Sequence, residues 1–312
     1  MKDQNTNQFD FIRKPDYQQL LTNPIMDIAA RFWQDERYDA GKICYRSMRV
    51  IDDLIDNRKA AAPRIFEDEK QKLVAMVNDW VKAINGRIPC DSVQKQLIET
   101  IAGFQIPMWP WQRFAKSMIY DIHHYGFRTF PMFLRYAEGA AVAPAAIFMH
   151  LCGVAKENDQ YSKPRFDIRK AARPIALFAY LVHIIRDFQK DQSSNLNYFA
   201  DDLVSENQLS PLILRKIAVG NEINTGFRNL MEKYYALTED YIHKSRRTID
   251  KIGDHLQPRY RLSLEIVYNL YLLIFERIDV PNGKFTTREL TPSPEDVKNR
   301  IDLTISSFES TK

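Results

Sequence analysis

Two groups of aspartates have the residue types and spacing that bind a divalent cation. The first is Asp52-Asp53-Leu54-Ile55-Asp56, and the second is Asp187-Phe188-Gln189-Lys190-Asp191, with His183 one turn earlier. Carboxylates four apart stack on one face of an α-helix. Two such faces turned toward each other form an oxygen-lined cage suited to Mg²⁺. That ion takes one or two carboxylates and completes its shell with water and substrate phosphates. The implied chemistry is that of a diphosphate. Around the first cluster, Tyr45, Arg49, Asp52 and Asp56 form one stripe, with Asp53 at its edge. A DDxxD stripe is often only a solvated face, but three crowded carboxylates repel one another unless cations are near. Around the second, Tyr180, His183, Asp187 and Asp191 share a face, and Arg186 and Lys190 lie beside it. Both cations can bind phosphate oxygens, Arg as a bidentate fork.

The elements that must carry these clusters read as helices throughout. The 312 residues are 45% hydrophobic and 12% aromatic, with only 10 Gly and 15 Pro. Long 3.6-period segments dominate and no period-2 strand run is bounded by turn residues, so the fold class is all-α. The spacing predicts helices from Asn23-Pro24, over about 35–58, 65–85, 91–104 and 111–125, and over 131–152 with a bend at Pro144. A polar loop, 156–165, leads into a helix over about 168–191 that carries the second cluster. A long helix follows from Ser210-Pro211 to about Ile252, then one over about 258–278. Residues 1–15 are polar and are expected to form a mobile tail. Residues 16–290 are expected to form one helical domain, and 291–312 a tail with a final amphipathic helix.

Composition narrows the function classes. The net charge of +4 is interspersed along helices, which points to no nucleic-acid partner. Cys44, Cys90 and Cys152 show no metal spacing and no disulfide framework, as expected of a reduced, cytoplasmic protein. The N-terminus has no apolar signal segment, and no stretch is long and apolar enough to span a membrane. There is no GxxxxGK[ST], GxGxxG or HExxH. His123 and His124 are adjacent, so they point about 100° apart on a helix and are unsuited to sharing a metal.

The residues from Cys44 to Asp56 resemble the first aspartate signature of the squalene/phytoene synthase family. Those from Ile184 to Asp191, followed by Tyr198, resemble the second. Tyr136-Ala137-Glu138-Gly139-Ala140-Ala141, after Asp121, resembles the middle helix, and Tyr271 with Ile274, Phe275 and Ile278 the late one. The likeness runs from about residue 22 to 280. It implies a single-domain, isoprenoid synthase-type helical bundle with a central cavity, joining two prenyl diphosphates head to head with Mg²⁺. Two farnesyl diphosphates would give presqualene diphosphate and then squalene, the last step drawing hydride from NADPH. The other outcomes are phytoene from two geranylgeranyl diphosphates, dehydrosqualene or hydroxysqualene. A terpene cyclase using one diphosphate and a non-catalytic member are rival readings, and the five retained aspartates argue against the latter.

By the same likeness, Asp52, Asp53, Asp56, Asp187 and Asp191 would hold metal. Arg49, Tyr180, His183, Arg186 and Lys190 would contact substrate. Tyr45, Arg49, Glu138, Tyr198 and Tyr271 would carry catalysis. The chain departs from the family where Tyr180 and His183 replace the usual Gln and Asn, and where Asn197 or Leu196 replaces the basic residue usual just before Tyr198. It departs again where Asn23-Pro24-Ile25-Met26 replaces an early Ser-Phe element. Glu138 is aligned with a catalytic Tyr of squalene-forming members, and a carboxylate there would be a candidate base. Apolar substrates and product are compatible with peripheral association with a membrane, and the sequence does not fix the oligomeric state.

Overall fold

The structure is a computed structural model and describes residues 10–13, 20–61, 64–220 and 222–310. Of the N-terminal tail, only Asp10–Arg13 lies within those residues; it forms a 3₁₀ turn, with Phe11 buried beneath the Arg259 guanidinium. The Ala62-Pro63 break lies outside them.

Fifteen α-helices are described. They are α1 (Ile25–Ala30), α2 (Asp35–Ala61), α3 (Glu67–Gly86), α4 (Ser92–Gly103), α5 (Trp109–His123), α6 (Phe130–Ala140), α7 (Val142–Gly153) and α8 (Ile168–Arg186). After these come α9 (Phe188–Ser193), α10 (Asp201–Glu206), α11 (Pro211–Ala218), α12 (Thr225–Gly253), α13 (Pro258–Phe275), α14 (Thr287–Leu290) and α15 (Pro294–Ser310). The all-α class read from periodicity is the architecture observed. Helix α8 is the central strut, packing on α7, α12 and α13. It starts where the Asp167 carboxylate accepts the Arg169 and Lys170 amides, a side-chain N-cap. Asn224 caps α12 and Thr129 caps α6 in the same way.

Helix α7 is apolar on nearly every side and correspondingly buried. Helix α2 buries Cys44, Met48, Ile51 and Ile55 along one stripe and leaves its acidic stripe facing out of that contact. Helix α15 lays Ile301, Thr304, Ile305 and Phe308 against the core beside α13, while Leu303 points to solvent. No described helix is long and apolar enough to cross a membrane.

Four local expectations are corrected. Pro144 does not bend one long helix; the chain breaks at Ala141 (φ −118°, ψ −50°) instead. Pro144 then falls in the first turn of α7, where a missing N–H costs no intrahelical bond. The 156–165 loop contains an antiparallel hairpin, β1 (Ala155–Glu157) with β2 (Gln160–Ser162). Its turn residues Asn158 and Asp159 both take positive φ, 49° and 60°, as two-residue hairpin turns require. The helix expected over 210–252 is two, because Gly220 adopts φ +101° and Asn224 starts a new helix. The helix expected over 168–191 breaks at Asp187 (ψ 6°) into α8 and α9. The Asp187 amide still donates to the His183 carbonyl and the Asp191 amide to the Asp187 carbonyl, each at 2.8 Å, so those three side chains stay stacked through the break.

Candidate active site

Helix α2 supplies the first cluster and the α8–α9 junction the second. They lie close enough for their charges to act on each other: burial raises the Asp191 carboxyl to about 7, and Asp187 and Asp56 push it in the same direction. Burial likewise raises Asp56 to about 7, aided by Asp52 and Asp121. Asp52 rises to about 6 through burial, against the pull of Arg49. Like charges on two helices are therefore held together in a partly dehydrated space, a costly arrangement unless a cation enters.

Arginines cover part of each cluster. Arg49 donates to Asp52 at 2.8 Å and reaches Asp53 at 2.6 Å, with about half of its side chain open to water (49%). Arg186 forks onto Asp187 at 2.8 and 2.7 Å. Burial pushes the Asp187 carboxyl up, but this fork outweighs it and leaves Asp187 below the usual carboxylate range.

Aromatic side chains wall the space. Phe133 stacks on Tyr180 at 5.5 Å, Tyr180 meets Tyr198 edge-on at 6.1 Å, and His183 meets Tyr271 edge-on at 5.1 Å. Burial drives the His183 imidazole down to about 3, helped by Arg186, so it is neutral at physiological pH. Burial also raises Tyr271 to about 12, so its phenol keeps its proton. Tyr45 extends from α2 beside Arg49, half-exposed, with its charge felt at Tyr271.

The donor set suits magnesium: oxygen ligands, negative charge, and few carboxylates per ion. Among the described residues, no three acidic, His or Cys side chains converge closely enough to hold an ion alone.

Residues 28–296 match the squalene/phytoene synthase family. The chain belongs to that family. It is a prenyltransferase with the family's all-α, head-to-head synthase fold. A crystal structure of a dehydrosqualene synthase in complex with ligand superposes with a TM-score of 0.70 at 15% identity, covering 97% of this chain and 98% of that one. Squalene synthase HpnC from Alicyclobacillus acidocaldarius superposes with a TM-score of 0.57 at 12% identity, covering 80% and 96%. No curated protein sequence matches the chain.

The structure brings together most of the residues read from the family's signatures, but not Glu138. Its carboxylate is bound by Arg169 at 2.7 Å and by Arg173 at 2.5 Å, in the first turns of α8. At 1.5 Å per residue, Arg173 sits about 20 Å from Asp187 along that helix. Burial raises Glu138, but the two arginines outweigh it and hold it below the usual range, so it makes a poor base. A separate cleft of about 680 Å³ opens at this far end, lined by Arg87, Trp109, His150, Lys163 and Phe166 among others; it contains none of the acidic clusters. The middle-helix side chain that does reach the acidic space is Tyr136, two residues earlier. Lys190 is exposed, and its charge acts on His183, Asp187 and Asp191 from beside the stripe.

Three residues without a role in the family's signatures lie beneath the first cluster. Lys59 Nζ donates to Asp121 Oδ1 at 2.9 Å, and the Tyr136 hydroxyl donates to Asp121 Oδ2. All three are buried, at 5%, 5% and 6% exposure. The signal was available. Lys59 continues the apolar register of Cys44, Met48, Ile51 and Ile55, and Asp121 that of Phe114 and Met118. A charge in a core register is buried and must be paired.

Proposed function

We propose that the protein condenses two farnesyl diphosphates head to head, with Mg²⁺, giving presqualene diphosphate and then squalene. The observation that carries this reading is the pair of aspartate clusters on two helices, in which burial raises Asp56 and Asp191 toward neutral pH and Asp56 adds to the shift of Asp191, beside a wall of aromatic rings. Asp52, Asp53, Asp56, Asp187 and Asp191 would hold the ions. Bound Mg²⁺ offsets the charge of a departing diphosphate.

The chain's own side chains do the rest. Arg49 and Arg186, beside the carboxylates that would hold the ions, carry guanidinium forks that would take phosphate oxygens. Neutral His183 lies beside the carboxylates without adding a charge, and can donate one N–H to a diphosphate oxygen. The faces of Tyr45, Tyr198 and Tyr271 steady the allylic cation. The packed apolar helices behind them exclude water that would quench it.

Tyr180 packs face to face on Phe133 and edge-on against Tyr198, near enough to feel Asp52 and Asp56, so it stands toward the diphosphate end of the site, and the reaction products decide the chain length. Purified protein is to be incubated with Mg²⁺ and farnesyl or geranylgeranyl diphosphate, with and without NADPH, and the products identified by mass spectrometry. A C30 hydrocarbon dependent on NADPH supports squalene synthesis. A C30 product without NADPH reassigns the last step to dehydrosqualene or hydroxysqualene, and a C40 product reassigns the substrate. No turnover of either refutes the proposal.

A further inference from the structure

A buried polar chain runs from the outside of α2 to the wall of the cavity. Lys59 Nζ is anchored twice, on Asp121 Oδ1 at 2.9 Å and on the His124 carbonyl at 3.1 Å. The Tyr125 ring lies 5.4 Å from the same ammonium, so its position is fixed from three sides. The other oxygen of Asp121 accepts a hydrogen bond from the Tyr136 hydroxyl. The Tyr136 hydroxyl in turn contacts that of Tyr180, and Tyr198 lies near enough to push the buried Tyr136 phenol further up. Helix α6 is pressed close enough to α5 to make this contact. A Cβ on Gly139 would lie 2.2 Å from the Arg113 carbonyl oxygen and from Ser117 Oγ, and Ser117 donates to the Tyr136 carbonyl at 2.7 Å.

We propose that Lys59 is a positioning residue for prenyl transfer: through Asp121 it fixes the direction of the Tyr136 hydroxyl, so that the oxygen turns its lone pairs, not its proton, toward the cavity. This rests on the prenyl-transfer reading above. The geometry leaves little freedom. Asp121 has two carboxylate oxygens, one committed to Lys59 and the other to Tyr136. An ionised carboxylate only accepts, so Tyr136 must donate to it. The lone pairs of Tyr136 that remain are acceptors, and the Tyr180 hydroxyl on the cavity wall is the group in contact with them. Lys59 also places a positive charge against Asp121, a third carboxylate close to Asp52 and Asp56 that would otherwise add to their repulsion.

The test separates positioning from folding. Lys59→Met alone leaves a buried charge unpaired and is expected to unfold easily. The informative variant is Lys59→Met/Asp121→Asn, which removes both charges and keeps the shape. Its amide can turn either a donor or an acceptor to Tyr136, so the hydroxyl loses its fixed direction. With thermal stability restored close to wild type, kcat on farnesyl diphosphate is expected to stay at least tenfold down, with KM within about threefold and Lys59→Arg largely active. Metal-free protein labelled with 3-fluorotyrosine gives a readout independent of turnover. The ¹⁹F resonance lost in Tyr136→Phe is expected to shift in the double variant and to stay in place in Lys59→Arg. A stable double variant with wild-type kcat, or an unmoved Tyr136 resonance, overturns the proposal. Wild-type protein inert toward prenyl diphosphates refutes the prenyl-transfer reading instead, and the ¹⁹F arm still decides the role of Lys59.

Discussion

Magnesium binding should release protons, and the number should depend steeply on pH. Asp56 and Asp191 are held at about 7 and Asp52 at about 6, each chiefly by burial. Coupled carboxylates titrate as a group, so these values describe the cluster rather than single residues. At pH 6.5 a group with a pKa of 7 is about three-quarters protonated, and one at 6 about one-quarter. Full ligation then displaces roughly 1.8 protons at pH 6.5 but only roughly 0.2 at pH 8. Calorimetric titration of Mg²⁺ in two buffers of different protonation enthalpy measures this directly. Asp56→Asn should lower the release at pH 6.5 by about 0.8.

The sign for stability follows from the same shifts. The ordinary aspartate value is 3.8 and the folded values are higher, so the folded chain holds more protons between about pH 4 and 7. These groups therefore favour the fold at low pH, and that contribution is lost as pH rises through about 7. Mg²⁺ binds the deprotonated cluster, so the Tm gained on adding it should grow from pH 6 to 8. Equal proton release at pH 6.5 and 8, or a Tm gain independent of pH, would refute the reasoning.

Four further outcomes are expected. Glu138→Gln should leave kcat within about threefold of wild type, because its carboxylate is spent on Arg169 and Arg173 away from the clusters; a hundredfold loss in steady-state assays would contradict this. Arg186→Lys replaces a bidentate fork with a single charge and should raise KM for the prenyl diphosphate about tenfold. The His183 ring protons should show no titration by NMR between pH 5 and 8, since its pKa of about 3 leaves it neutral throughout. Gly139→Ala drives a methyl into the Arg113 carbonyl and should cost about 2–3 kcal/mol in urea denaturation, with an unchanged midpoint ruling out the close α5–α6 contact.

Much of the helical order was legible in the sequence because apolar residues recur at the helical period, most plainly in α2, α3 and α8. What was not legible came from single residues that override a pattern. The 210–252 stretch keeps a helical composition through Val219, yet one glycine in a left-handed conformation divides it. Pro144 reads as an interruption, but three residues of offset put it in a helix's first turn, where proline is at home. The hairpin at 155–162 is too short to show alternation, and only its Asn158-Asp159 turn announces it.

The site divides along similar lines. Asp52 with Asp56, and Asp187 with Asp191, could each be placed on one face because spacing by four fixes which face a side chain takes, whatever the tertiary structure. Glu138 and Tyr136 could not be told apart that way. They sit two positions apart on one helix, about 200° around its axis, so a two-residue error in register exchanges a side chain facing the cavity for one facing elsewhere. Only the contacts decide it: Tyr136 reaches Asp121 while Glu138 reaches Arg169 and Arg173. Lys59 was hidden for the opposite reason. It follows Asp56 closely enough to read as the solvated end of a charged helix, and its partner lies on another helix, 62 positions away. A lysine that extends a stripe of buried Cys, Met and Ile has to be met by an anion inside the fold. That requirement points from α2 toward the helices packed on it, and among these α5 carries an aspartate in its own apolar register.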